Sequence, residues 1–324
     1  IYTTKGKGCD PAEDNSGEYH GLPPKKDDDN NCKGECFTDA FGKALLSFAD
    51  KDNSIYAVTA AMKYGTGLQH FYKAFPERFF DVGIAEQHAV TFSAGLASQG
   101  KLPVFAVYSS FLQRSYDQLI HDCAIEKRHV VLGIDRAGFV GEDGETHHGL
   151  FDVAMLTTVP GVTVYSPSDT AELSQCLEQA LYKDKGVVAV RYPRGCELYR
   201  SGTKAYSDFR HVSNKSRKLI FTYGRISAYA YTIHGADILQ AINIFPIVDE
   251  IINICLAYDE IYAFEEGERE GGIAQKLCTA LALAGYKGRF TITAVDGFVR
   301  HADVATQLHN AMLDADGMRK ITGE

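Results

Sequence analysis

Phe79-Phe80-Asp81-Val82-Gly83-Ile84-Ala85-Glu86-Gln87-His88 is the stretch on which the reading of this chain turns. Phe79 to Val82 is an apolar, strand-like run, and Ala89-Val90-Thr91-Phe92-Ser93-Ala94-Gly95-Leu96-Ala97 after it is compatible with a helix. Glu86 therefore stands where the carboxyl end of a strand passes into a helix, the place where open α/β sheets bind ligands. A carboxylate buried there needs a partner. A neighbouring Arg or Lys, or a ligand nitrogen, would satisfy it; the plainer alternative is an acidic residue complementing the helix dipole.

Working outward, apolar strand-like runs alternate with helix-compatible ones. Ile55–Thr59, Pro103–Tyr108, Val130–Asp135, Val162–Tyr165 and Val187–Arg191 read as strands. Phe37, Phe41, Leu45, Leu46 and Phe48 recur at helical spacing, and Ser166-Pro167-Ser168-Asp169 caps a helix through Leu173 and Leu177. Residues 196–215 are polar and read as a linker. Beyond it, Leu219–Gly224, Tyr262–Gly267 and Phe290–Val295 read as further strands, and Gly271-Gly272-Ile273-Ala274 opens a helix. The alternation predicts an α/β fold of two mostly parallel, doubly wound domains, 36–200 and 201–324, preceded by a polar linker, 1–35.

The 324 residues are 45% hydrophobic, enough for two cores, and the net charge of −9 offers no bulk basic field to nucleic acid. No apolar run is long enough to span a bilayer. The eight cysteines include no Cys-x-x-Cys pair, which fits a reducing, cytosol-like compartment. Cys32 and Cys36, four apart, lack the second pair a metal site would need, and no metal site is expected. Lys25-Lys26-Asp27-Asp28-Asp29-Asn30-Asn31 reads as a mobile, charged tether.

The densest polar cluster is Gly141-Glu142-Asp143-Gly144-Glu145-Thr146-His147-His148-Gly149. Its adjacent histidines point apart in extended chain, so one acting imidazole is favoured over a two-histidine metal site; a solvated turn is the plainer alternative. Arg114, Arg136 and Arg194 stand at or just beyond strand ends. A lone Arg is commonly a surface ion-pair partner, but guanidinium forks at such places suit a phosphate. Ala60 to Leu68, with Gly65 and Gly67, follows a strand with small residues that allow close backbone approach.

The Phe79–His88 wording closely resembles the pyrimidine-domain signature of the 1-deoxy-D-xylulose-5-phosphate synthase family, thiamine-diphosphate transferases of the transketolase superfamily. The resemblance is dense from Tyr56 to Gly195 and looser from Lys218 onward. It implies that Glu86 hydrogen-bonds N1′ of the cofactor's aminopyrimidine and so promotes deprotonation of the thiazolium C2. Phe111 would stack on that ring, with Met62 and Ile84 as apolar walls. Gln87 and His88 would be supporting groups or merely helix-start residues. Asp143 and His147 would orient and protonate substrate oxygens. Arg136 and Arg194 would grip the phosphate of glyceraldehyde 3-phosphate, Tyr108 would add its hydroxyl, and Arg114 would belong to the same site.

The family's diphosphate and Mg²⁺ site uses a Gly-Asp-Gly motif followed by an Asn, and no such pair is found here. With Ile at position 1 and Ile1–Gly8 resembling the end of the family's first domain, the expectation is a fragment carrying the pyrimidine half of the cofactor site. The resemblance further implies pyruvate as donor, synthesis of an isoprenoid, thiamine and pyridoxal precursor, a homodimer, and a bacterial cytoplasm or a plastid. The chain alone is expected to be inactive. Two alternatives are a β-type subunit of a split thiamine-diphosphate enzyme and a non-catalytic dimerisation module.

Overall fold

A computed structural model of the chain describes residues 2–16, 19, 34–200, 202 and 205–324. It divides into two compact units, Ile1–Gly34 and Glu35–Glu324. In the first, Pro11 sits in the first turn of a short helix, Asp10–Asp14, and Gly8 N donates to Glu13 Oε1 at 2.7 Å. The tether Lys25–Asn31 and Cys32 lie outside the described residues.

The second unit holds two sheets. The strands are β1 (Ile55–Thr59), β2 (Phe79–Asp81), β3 (Leu102–Tyr108), β4 (Val130–Asp135), β5 (Thr163–Tyr165), β6 (Val187–Arg191), β7 (Phe209–Val212), β8 (Lys218–Tyr223), β9 (Asp237–Ala241), β10 (Asn243–Phe245), β11 (Glu260–Glu268) and β12 (Arg289–Val295). The seven-stranded sheet runs β10-β5-β6-β4-β3-β1-β2 and the five-stranded one β12-β11-β8-β9-β7. Every described pairing is parallel except β10 on β5 and β7 on β9. The mostly parallel α/β architecture expected from the alternation is therefore the one observed.

Parallel strands buried on both faces read as continuous apolar runs, and β4 and β6 are buried at every position. Alternate residues feed two cores. Val131, Val188 and Val190 pack with Phe41, Leu173 and Leu177 from helices Phe37–Lys51 and Thr170–Tyr182. Leu132, Ile134 and Ala189 pack on the other face with Ala89, Val90 and Ala94 from helix Glu86–Ser98. Asp169 caps Thr170–Tyr182, its side chain accepting from Glu172 N.

Two readings need correction. Residues 196–215 are not only linker, because β7 pairs there antiparallel with β9. The segment after residue 200 is not a self-contained sheet either, because β10 leaves β9 and joins the edge of the first sheet, Asn243 opposite Tyr165. Both strands are short edge strands, and three or four residues carry too little periodicity to announce a strand.

Chain succession places the site. β1 is flanked by β2 on one side and β3 on the other, so loops after β1 and β3 diverge and leave a crevice at their carboxyl ends. Helix Phe37–Lys51 closes tightly on the β1 loop, where a Cβ on Gly42 would lie 2.2 Å from Gly67 O. On β4, a Cβ on Gly133 would meet the Phe41 ring at 2.4 Å, and that ring stacks on Tyr192 at 5.2 Å between centroids. Gly133→Ala is expected to lower stability by about 1–3 kcal/mol through overpacking, read by urea unfolding. A loss under about 0.5 kcal/mol would show that Phe41 has room to move.

Candidate active site

Glu86 is the first residue of helix Glu86–Ser98 and is buried, 2% exposed. The turn from β2 delivers it there, and Gly83 in that turn has φ +73°, a backbone state that favours glycine. The carboxylate finds a charged partner: Arg114 Nη1 donates to Glu86 Oε1 at 2.9 Å. The Arg114 guanidinium in turn lies 5.1 Å from the centroid of Phe111. Of the ways to satisfy Glu86 that the sequence leaves open, the structure uses a neighbouring Arg, itself half exposed.

Phe111 links this acidic end to the rest of the site. Its ring stacks on Tyr108 at 5.6 Å and meets the His147 ring edge-on at 5.2 Å. Tyr108 lies beneath the Arg136 guanidinium, 3.7 Å from its centroid, a cation–π contact that holds the charge in place. The β1 loop fits against the same residue, since a Cβ on Gly65 would coincide with Tyr108 Oη at 1.6 Å. The glycine in that loop is thus required by close approach.

Arg136 follows β4 directly and adopts φ +62°, an uncommon left-handed state for a residue with a side chain. Its Nη1 donates to Gly65 O at 2.9 Å and Asp135 Oδ1 at 3.3 Å, and its Nε donates to Asp143 Oδ2 at 3.2 Å. Arg194, beyond β6, places Nη1 at 2.5 Å from Asp143 Oδ1. Asp143 therefore bridges two guanidiniums from two different strand ends. Opposite charges at this range hold the cations together, and a paired set of guanidiniums is chemically able to take an anion.

The loop Gly141–Gly149 is stitched to its neighbours. Gly138 and Gly149 exchange both backbone hydrogen bonds at 2.8 Å. The two histidines diverge, as adjacency predicts. His147 lies at the exposed rim, its Nδ1 2.9 Å from Thr146 Oγ1. His148 turns inward, accepts from Val140 N at 3.2 Å and is 4% exposed.

The structure thus gathers Glu86, Arg114, Phe111, Tyr108, His147, Arg136, Asp143 and Arg194 into one chain of contacts. Met62 is buried in the core beside this crevice. Ile84 is not drawn in: it is 80% exposed. Gln87 and His88 are exposed on the first helical turn. Sequence reasoning missed Asp135, Thr38 and Gly65 O. Their only sequence signal is proximity to residues already singled out, Asp135 beside Arg136 and Gly65 in the glycine loop. Among the described residues no group of three or more His, Cys, Asp or Glu could hold a metal ion.

A family described as transketolase, pyrimidine binding domain matches residues 36–197. The 1-deoxy-D-xylulose-5-phosphate synthase of Chlorobaculum tepidum is 41% identical over 345 residues, 98% of this chain and 54% of that protein. The Clostridium kluyveri enzyme of that name is 46% identical over 266 residues, 79% of this chain and 41% of that protein. The chain spans about half the length of the curated relatives it matches. Among solved structures, a split-gene transketolase in an inactive β4 tetramer superposes with a TM-score of 0.76 at 24% identity, covering 88% of this chain and 96% of that one. Transketolase from Campylobacter jejuni gives 0.73 at 14% identity, covering 95% and 49%. At these identities the structural matches show the fold.

Asp135, fully buried under Arg136, accepts from Thr38 Oγ1 at 2.7 Å. Burial pushes its pKa from 3.8 to about 6, against the pull of Arg136 and Thr38. The folded value lies above the unfolded one, so keeping Asp135 ionised costs stability, and the cost builds as pH rises from 3.8 to about 6 and levels off above that. Between pH 5 and 7 the folded chain is expected to lose about 1.4 kcal/mol relative to Asp135→Asn. Parallel stability-against-pH curves for the two proteins would contradict this.

Proposed function

The chain belongs to the transketolase pyrimidine-binding family, with 1-deoxy-D-xylulose-5-phosphate synthases as relatives over almost its whole length, and we propose that it supplies the pyrimidine-side half of such an active site. The carrying observation is the run of contacts from buried Glu86 to the Arg136–Asp143–Arg194 bridge. One end is suited to a nitrogen heterocycle and the other to a phosphate.

The residues fit the pyrimidine half of thiamine diphosphate. A buried carboxylate at a helix start stands near a flat ring, Phe111, that can stack on a heterocycle. When bound, thiamine diphosphate supplies an electron sink for decarboxylation of a 2-oxo acid such as pyruvate. Glu86 would hold a proton at the pyrimidine nitrogen, exchanging or sharing its contact with Arg114. Arg136 and Arg194 would take the phosphate of glyceraldehyde 3-phosphate, with Tyr108 fixing the plane of Arg136. His147, at the rim beside Phe111, would pass a proton to or from a substrate oxygen, and Asp143 would orient the acceptor. The product would be 1-deoxy-D-xylulose 5-phosphate with release of CO2. The diphosphate and its Mg²⁺ would be held by a part of the assembly other than the described residues. The working form would be a homodimer in the cytoplasm of a bacterium; no described helix is long and apolar enough to cross a membrane.

A second reading has its own support. The β chain of a split-gene transketolase is covered over 96% of its length, so a separate chain could supply the diphosphate half. In both readings residues 36–200 form the pyrimidine-binding domain and 201–324 a transketolase C-terminal domain that lends β10 to the first sheet.

The test is turnover of pyruvate and glyceraldehyde 3-phosphate. The purified chain is expected to be inactive alone and to become active when a diphosphate-binding half from a relative is co-expressed. In that assembly Glu86→Gln should slow turnover by about 10²–10⁴-fold. Turnover by the chain alone, or an unchanged rate in Glu86→Gln, would overturn the reading. Co-purification with a distinct partner chain would favour the split enzyme.

A further inference from the structure

The second sheet reaches the site through three side chains far from it in sequence. Arg225 follows β8, Glu266 lies in β11, and Gln307 lies in helix Val304–Asn310. All three are nearly fully buried. Glu266 Oε1 accepts from Phe139 N at 2.7 Å, and Arg225 Nη2 donates to Phe139 O at 2.8 Å. Both backbone polar groups of Phe139 are thus held by one ion pair, in which Arg225 Nε also donates to Glu266 Oε2 at 2.9 Å. Arg225 Nη1 donates to the carbonyl of Arg194 at 3.3 Å. Gln307 Oε1 accepts from Gly141 N at 3.2 Å, and Gln307 Nε2 donates to Arg300 O at 3.1 Å.

The held points bracket the site. Phe139 is three residues past Arg136, Gly141 is two before Asp143, and the third point is Arg194 itself. The approach is close: a Cβ on Gly138, whose φ is +80°, would lie 2.3 Å from Glu266 Oε1.

An ion pair this buried is a poor device for stability alone, because desolvation offsets its attraction and apolar residues of similar size serve as well. Its value lies in direction. The Arg225 fork spreads its donors over Glu266, Phe139 O and Arg194 O, tying the loop after β4 to the loop after β6. A lysine, with one compact ammonium, cannot span three such acceptors in that plane.

We propose that the Arg225–Glu266 pair, with Gln307, is a positioning device that sets the distance between Arg136 and Arg194 and thereby selects a phosphate-bearing substrate. This rests on the phosphate reading of Arg136 and Arg194 given above and assigns to the second sheet a part in substrate choice. None of the three residues touches the substrate.

Calorimetric titration of the full chain with glyceraldehyde 3-phosphate, and with unphosphorylated glyceraldehyde as reference, tests it well below the melting temperature of each variant. Arg225→Lys and Glu266→Ala are expected to weaken the phosphorylated ligand by about tenfold, the effect of misplacing one charge-assisted contact, and to leave the reference unchanged. Glu266→Gln keeps an acceptor for Phe139 N but loses the one for Arg225 Nε, and should weaken binding less than Glu266→Ala does. Should Glu266→Ala fail to fold, Gln307→Ala carries the same test through Gly141. A lower melting temperature with unaltered affinity, while Arg136→Ala abolishes binding, would make the pair structural only and overturn the proposal. If Arg136→Ala and Arg194→Ala bind as the parent does, or the parent does not bind, the phosphate reading falls and the positioning role with it.

Discussion

Arg136 and Arg194 are like charges carried on loops from neighbouring parallel strands, and they lie side by side because Asp143 stands between them. Two guanidiniums without that carboxylate would repel and swing apart, since each is on a flexible side chain. The geometry of the loops accommodates this contact as well as the ties to Arg225, Glu266 and Gln307. Asp143 must come back toward the strand ends, so the segment after Arg136 doubles on itself and closes with the Gly138–Gly149 exchange. That closure sets His147 against Phe111 and turns His148 inward. Arg136 tolerates its left-handed backbone because Gly65 O, Asp135, Asp143 and the Tyr108 face all hold it there.

The junction between the sheets is polar in a comparable way. Arg191, held by Asp152 Oδ2 at 2.9 Å in the first domain, lies 5.6 Å from the ring centroid of Tyr223, which donates to Glu265 Oε1 at 2.5 Å in the second, all four residues being buried. Arg210 on β7 pairs with Glu172 at 2.8 Å. Such contacts add little net stability beyond what apolar packing would give, but they are directional. Satisfied polar networks in a dry interface specify a register that apolar contacts leave looser. Loops at the carboxyl ends of the first sheet are thereby referenced to the second.

How much of this could be read from the residues depended on range. Ile55–Thr59, Val130–Asp135 and Val187–Arg191 were legible to the residue, because a parallel strand buried on both faces is a continuous apolar run. The proposed site residues could be singled out because their wording is dense and local, from Glu86 through Phe111 and Arg114 to Arg136, Asp143 and His147, and the fold brings them together. What stayed hidden was pairing across distance. Nothing near Glu86 says that Arg114 meets it, and nothing near Phe139 points to Glu266 or Arg225. Asp135 looked like the polar end of a strand, and its complete burial comes from helix Phe37–Lys51 closing over it. Strands β7 and β10 escaped because short edge strands are defined by their neighbours more than by their own pattern.

The Asn243–Phe245 crossover has a practical side. Because β10 is the outermost strand of the first sheet, shortening the protein after residue 200 would strip β5 of its cover. The row of backbone donors and acceptors on Thr163–Tyr165 that now faces Asn243 and Phe245 would open to solvent. An open edge of that kind recruits strands from other molecules. Anyone isolating the first sheet for crystallography or screening would do better to keep residues 243–245 attached, or to blunt β5 with a charged substitution, than to trust the polar stretch after residue 196 as a clean place to cut.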